Sequence, residues 1–214
     1  MSSVAQRRPL LLPPRQSLLC WSRFFFLAGI IALGYVAVTL IDAKLYQTRA
    51  TAEFEEALNA PTAVLPGDAA PNTSPNAAVP SVAGSRAPLG RIEISSLGVG
   101  AMILEGIDNK TLSRAVGHIP GTALPGQPGN VGLAGHRDTF FRALRNIHKD
   151  DEIMLQTLEG AYHYRVDLTQ IVAPEDTAVL NNSSDSILTL VTCYPFYYVG
   201  SAPQRFIVRA HRIL

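Results

Sequence analysis

Disulfide pairing is the first thing this sequence lacks. It holds two cysteines in 214 residues, Cys20 and Cys193, far apart in the chain. Cys20 lies just before a long apolar run and Cys193 lies well after it, so the two are not expected to meet. A basic footprint is also missing. The formal net charge is +1, but residues 1–23 hold four arginines (Arg7, Arg8, Arg15, Arg23) and no acids. The remainder carries 14 Lys and Arg against 17 Asp and Glu, near −3. That balance gives no charged face for nucleic acid. No internal repeat is visible, which argues against a repeat array.

One long hydrophobic run is present. "FFFLAGIIALGYVAVTLI", residues 24–41, is uncharged between Arg23 and Asp42. As a helix its 18 residues would span about 27 Å, close to the hydrocarbon thickness of a bilayer. The arginines before it predict a cytoplasmic N-terminus and an exported remainder, in a single-pass arrangement. The rival is a cleaved signal peptide, with "ATA" at Ala50–Ala52 as the small-residue site. That site sits beyond Asp42, Lys44 and Arg49, and the apolar run is long for an h-region, so an uncleaved anchor is expected. Cys20 precedes the run and follows Leu19, unlike a lipoprotein box. Cys193 is therefore expected to be a lone thiol in a compartment where thiols tend to be oxidised.

The organisation that follows is 1–23 basic cytoplasmic segment, 24–41 transmembrane helix, 42–88 helical extension and linker, and 89–214 folded domain. Residues 60–88 contain six prolines among small and polar residues and read as a semi-extended spacer. Beyond them, "GRIEISSLGV", "GAMILEGI", "NVGLAGHRD", "DEIMLQTL", "AYHYRVDLTQIV", "SILTLVTC" and "RFIVRAHRIL" read as short strands. "DNKTLSRAVGHIPG" holds one short helix capped by Asp108, and "TFFRALRNI" is helical in spacing. Short strands with small helices in the connections predict a closed or half-closed β-barrel.

The last two strands carry the chemistry. As an antiparallel hairpin with an 11-residue loop, Tyr194–Gln204, they bring Cys193 and Arg205 together at the open end. Pro195 stops the ladder just after the cysteine. A thiol is a few per cent thiolate at neutral pH and benefits from a base. Among five histidines, His136 in "LAGHRD" sits where an apolar strand ends, a position like that of Cys193. His118 in "GHIPG" is the second choice. His148, His163 and His211 lie in an exposed run, mid-strand or near the chain end. The bland alternative is a buried cysteine, a surface arginine and a turn histidine.

"TLVTC" at Thr189–Cys193 followed by Arg205 opening "RFIVRA" resembles the sortase signature. "GHIPGTALPGQPGNVGLAGHRDTFFRAL" is similar to the sortase segment that bears the active-site histidine. "CYPFYYVGSAPQRF" looks most like class D sortases. The resemblance covers about Leu89 to the C-terminus. It implies a mainly β fold, the sortase eight-stranded barrel, behind one N-terminal transmembrane helix. It also implies transpeptidation of exported proteins that bear an LPxTG-like sorting signal. Cys193 would be the nucleophile, His136 the acid/base and Arg205 the oxyanion or substrate-positioning group. A cell-wall precursor or a pilin lysine would be the amine acceptor.

No cofactor is expected. Some sortases bind calcium near the loop before the cysteine strand, where Glu175, Asp176 and Asp185 stand; a solvated acidic loop is the plainer reading. Tyr194, Phe196, Tyr197 and Tyr198 either wall the groove or pack their loop onto the barrel. An L,D-transpeptidase would need a glycine before its cysteine, where this chain has Val191–Thr192. A non-catalytic, membrane-tethered module that binds exported proteins is the alternative outside enzymology.

Overall fold

The computed structural model describes residues 15–59 and 87–213. Helix α1 (Arg15–Asn59) contributes to two units, divided after Asp42. In the first unit the apolar run is helical, long and apolar enough to cross a membrane. Its large side chains from Phe24 to Val38, and that of Ile41, are exposed. A helix that is apolar all round and unburied by its own chain suits a lipid environment.

The second unit is a closed β-barrel joined by the end of α1. Its strands are β1 (Gly90–Ile94), β2 (Val99–Glu105), β3 (Val116–His118), β4 (Asn130–Ala134), β5 (Glu152–Gln156), β6 (Ala161–Val172), β7 (Ile187–Tyr194) and β8 (Gln204–Arg212). Around the barrel they follow the order β1-β2-β3-β4-β7-β8-β6-β5. The β2–β3 and β4–β7 pairs are parallel and the rest antiparallel. A parallel neighbour requires a crossover. Helix α2 (Asn109–Arg114) supplies the first, and the β5–β6 hairpin lies within the second. Asp108 caps α2 by accepting from the Thr111 N–H, as its sequence position predicted.

Alternation explains the core. Leu188 and Leu190 of β7 and Val208 and Ala210 of β8 point inward and are buried with Val131, Leu133 and Ile153. Three sequence expectations need correction. The strand β3 was not foreseen: three residues buried on both faces carry no alternation to read. The segment "TFFRALRNI" is only a 3-10 turn over Arg142–Asn146, though Leu144 and Ile147 are buried at the expected spacing. The final hairpin is one residue longer on each arm, because Tyr194 pairs with Gln204, leaving a loop of residues 195–203.

The end of α1 lies on the outside of the barrel. Gln47 accepts from the Met102 N–H at 3.0 Å and donates to the Arg114 carbonyl, while Ala50 and Phe54 bury Met102. This helix turn covers a patch of β2 that would otherwise expose a methionine.

Candidate active site

Three neighbouring strands, β4, β7 and β8, bring the sequence-derived residues to one level. Cys193 and Arg205 are direct cross-strand partners in the β7–β8 ladder. They fall on the face opposite Leu190 and Val208, so they point away from the packed interior. The sequence placed this pair at a barrel mouth; the register places it at the strand ends on the outer surface. On the other side of β7, Ala134 of β4 pairs with Val191 in parallel. His136 lies two residues beyond Ala134, as Cys193 lies two beyond Val191. The thiol therefore stands on the middle strand, between the histidine's strand and the arginine's. Cys193 and His136 are both half-buried.

The turn that carries His136 is tied to β7 by two bonds. The Gly135 N–H donates to the Val191 carbonyl at 3.1 Å, and the buried Thr192 hydroxyl donates to the Gly135 carbonyl at 2.7 Å. On its far side the His136 carbonyl accepts from the Phe141 N–H at 3.1 Å. Phe141 is fully buried and lies directly under Gly135: a Cβ there would sit 2.7 Å from the ring. Glycine is therefore required by close approach, which accounts for the "AGHR" wording.

Arg205 is held from behind. Its Nη1 donates to the carbonyls of Ala202 and Gln204, at 3.3 and 3.0 Å. Two of the four aromatic residues after the cysteine take the packing role the sequence allowed. Tyr194 and Phe196 cluster with Phe206, with ring centroids 5.3–6.3 Å apart, and fasten the loop to the barrel. Tyr197 and Tyr198 stay exposed. Across β4 lies the segment of residues 173–186. Asn130 donates to the carbonyls of Val179 and Asn181 and accepts from Thr189, all within a buried network. Thr189 and Ile207 point outward yet are buried, so this face is covered along the strands leading up to Cys193.

The remaining histidines have other work. His118 is buried, with Nδ1 2.7 Å from a Glu105 carboxylate oxygen and Nε2 2.9 Å from the Ala123 carbonyl. Both nitrogens face acceptors, so the ring is committed to bracing β2 and the turn after β3. His211 pairs with Asp167. Among the described residues no three His, Cys, Asp or Glu side chains group as a metal site needs, and the Asp176 carboxylate accepts from the Ala178 N–H.

Comparison with known proteins decides the family. A family model described as "Sortase domain" matches residues 92–213. The chain belongs to the sortase family. Sortase D of Bacillus subtilis (strain 168) is 31% identical over 191 residues, spanning 89% of this chain and 96% of that protein. Among solved structures, a Clostridium perfringens Sortase D5 transpeptidase superposes with a TM-score of 0.54 at 32% identity, covering 59% of this chain and 79% of that one. Sortase A from Corynebacterium diphtheriae gives 0.58 at 32% identity, covering 62% and 63%. This sortase is therefore a cysteine transpeptidase of the family that anchors surface proteins, built on an eight-stranded barrel behind an apolar N-terminal helix.

One residue at this site was missed by sequence reasoning. Arg137, next to His136, reaches across to the loop between Cys193 and Arg205 and donates to the carbonyls of Tyr198 and Gly200. Its partners are backbone atoms, so no residue pattern could announce them.

Proposed function

We propose that Cys193, His136 and Arg205 carry out transpeptidation on exported proteins bearing an LPxTG-like sorting signal. The observation that carries this reading is that Cys193 and Arg205 are in direct register on β7 and β8, while His136 follows the end of β4, on the other side of β7, at the same offset as Cys193. The Cys193 thiolate attacks the carbonyl carbon of the signal's threonine, and the carbonyl oxygen takes the negative charge. The Arg205 guanidinium, fixed by two backbone carbonyls, leaves its other nitrogens to stabilise that oxyanion. The C–N bond then breaks as His136 gives a proton to the departing amine, leaving a Cys193 thioester. An incoming amine attacks the thioester and surrenders its proton to His136. The C–S bond breaks, the thiolate returns, and a new amide is released. A cell-wall precursor amine or a pilin lysine fits the acceptor's chemistry, and no cofactor enters any step.

The helix over residues 24–41 is the membrane anchor in this reading, with the N-terminus cytoplasmic and the barrel outside. The four arginines of residues 1–23 support that orientation. Residues 60–88 act as the spacer and 89–214 as the catalytic domain.

The test uses the full chain in detergent with an LPxTG peptide and an amine acceptor. The wild type is expected to join the peptide, up to its threonine, to the amine. Cys193→Ala and His136→Ala should abolish the product. Arg205→Ala should lower kcat about 10²- to 10³-fold, the scale of losing an oxyanion donor. Product formation that survives Cys193→Ala would refute the assignment.

A further inference from the structure

The guanidinium of Arg137 bridges two parts of the site that the ladder does not join. Its backbone belongs to the His136 turn. Its Nη2 donates to the Tyr198 carbonyl at 2.8 Å and the Gly200 carbonyl at 3.0 Å, in the middle of the β7–β8 loop. The same loop holds Arg205 through the Ala202 carbonyl, and the β8 residue Gln204 adds its own carbonyl. The loop has little else to fix its tip. A single backbone bond, from the Tyr198 N–H to the Pro195 carbonyl at 3.4 Å, is long, and Tyr197, Tyr198 and Val199 are exposed. Two arginine–aromatic contacts add to it, Arg137 over Tyr198 at 6.0 Å and Arg145 over Tyr197 at 5.5 Å.

Gly200 shows that the carbonyl geometry is specific. Its φ is 101°, a conformation L side chains rarely adopt, yet a Cβ there would meet nothing within 4 Å. The glycine answers a need of the backbone, not a shortage of room. Arg137 is also half-sunk: its Nη1 is shut off from solvent without a hydrogen-bond partner among the described residues. Leaving a guanidinium nitrogen unpaired is costly, so a purely solubilising arginine would not be placed this way.

We infer that Arg137 is a positioning residue: it clamps the β7–β8 loop so that the loop's Ala202 carbonyl holds Arg205 at Cys193. This rests on the transpeptidase reading above for the role of Arg205, but the clamp itself does not. Reach matters more than the charge. Both carbonyls are gripped by one nitrogen, Nη2, and a lysine at 137 keeps the charge on a side chain one bond shorter, which does not reach both.

The experiment compares full-length wild type, Arg137→Lys, Arg137→Gln and Tyr198→Leu in detergent. Melting curves check folding, and Arg137→Lys suffices alone should Arg137→Gln not fold. Three readouts follow. Hydrogen exchange of the loop amides 196–202 should accelerate about tenfold in both Arg137 variants, as local opening becomes cheaper. With an LPxTG peptide and an amine, kcat should fall about tenfold or more while KM stays nearly constant, as a misplaced Arg205 requires. Alkylation of Cys193, resolved from Cys20 by peptide mapping, should lose its preference for anionic iodoacetate over neutral iodoacetamide. Because Arg137→Lys keeps the charge at 137, that loss would report movement of Arg205.

Tyr198→Leu keeps both carbonyl acceptors and removes only the ring, so its kcat should stay within about threefold of wild type. Unchanged loop exchange and unchanged reagent preference in Arg137→Lys would overturn the clamp, as would a Tyr198→Leu defect equal to that of Arg137→Gln. If wild type forms no product at all, the transpeptidase reading fails. The exchange and alkylation results then still decide the clamp.

Discussion

Replacing Thr192 by valine should disconnect the His136 turn from the cysteine strand with little change of shape. The Thr192 hydroxyl is 2% exposed as a residue and donates to the Gly135 carbonyl at 2.7 Å. Valine fills nearly the same volume but leaves that carbonyl without its donor. A buried acceptor left unsatisfied costs about 1–3 kcal/mol. Taking about 2 kcal/mol, a domain of this size should melt about 4–8 °C lower. The chemical effect should be larger than the stability effect implies. One of the two bonds tying Gly135 to β7 is lost, while the Gly135 N–H bond to the Val191 carbonyl remains. His136, the next residue, then pivots about that single attachment, and kcat should fall about tenfold. Thr192→Ser keeps the donor and loses one methyl, at about 0.8 kcal/mol, and should retain most of the activity. Thermal melts by circular dichroism and the peptide-joining assay read both quantities. A Thr192→Val protein that melts and turns over like the wild type would refute the reasoning.

Other consequences are as direct. Gly135→Ala would put a Cβ 2.7 Å from the buried Phe141 ring, and should cost about 1–3 kcal/mol in a melt together with activity, because the strain falls beside His136. Tyr164 is fully buried, its hydroxyl lacks a partner among the described residues, and burial raises its pKa above the usual 10.0. The proton is therefore held more tightly folded than unfolded: this group leaves folding stability unchanged with pH below about pH 10 and lowers it as pH rises above that value. Tyr164→Phe should be neutral or stabilising near neutral pH and should flatten the alkaline loss in urea titrations. Activity in EDTA should equal activity in added calcium; a calcium requirement would mean that the acidic loop holding Glu175, Asp176 and Asp185 takes part after all.

What the sequence revealed depended on whether its signals were local. Alternation and apolar runs marked seven of the strands, and the hairpin logic set Cys193 opposite Arg205, where the register has them. The position of His136 was legible because its strand ends visibly at a glycine. Three kinds of feature were not legible. Strand β3 is too short and too uniformly buried to alternate. The direction of the site, outward from a filled barrel and not into its mouth, follows only once Leu190 and Val208 are known to share the interior. The Arg137 contacts join residues 61 and 63 positions apart through main-chain carbonyls. His118 shows the reverse case: a histidine in a promising turn whose two nitrogens are already committed to Glu105 and Ala123.

The most direct measurement of the central claim is the intact mass of the full chain after brief exposure to an LPxTG peptide without an amine acceptor. The account predicts a covalent adduct equal to the peptide through its threonine, mapped to Cys193, absent in Cys193→Ala and discharged when an amine is added. A folded protein with a titratable Cys193 thiol that forms no such adduct while still releasing cleaved peptide would contradict it.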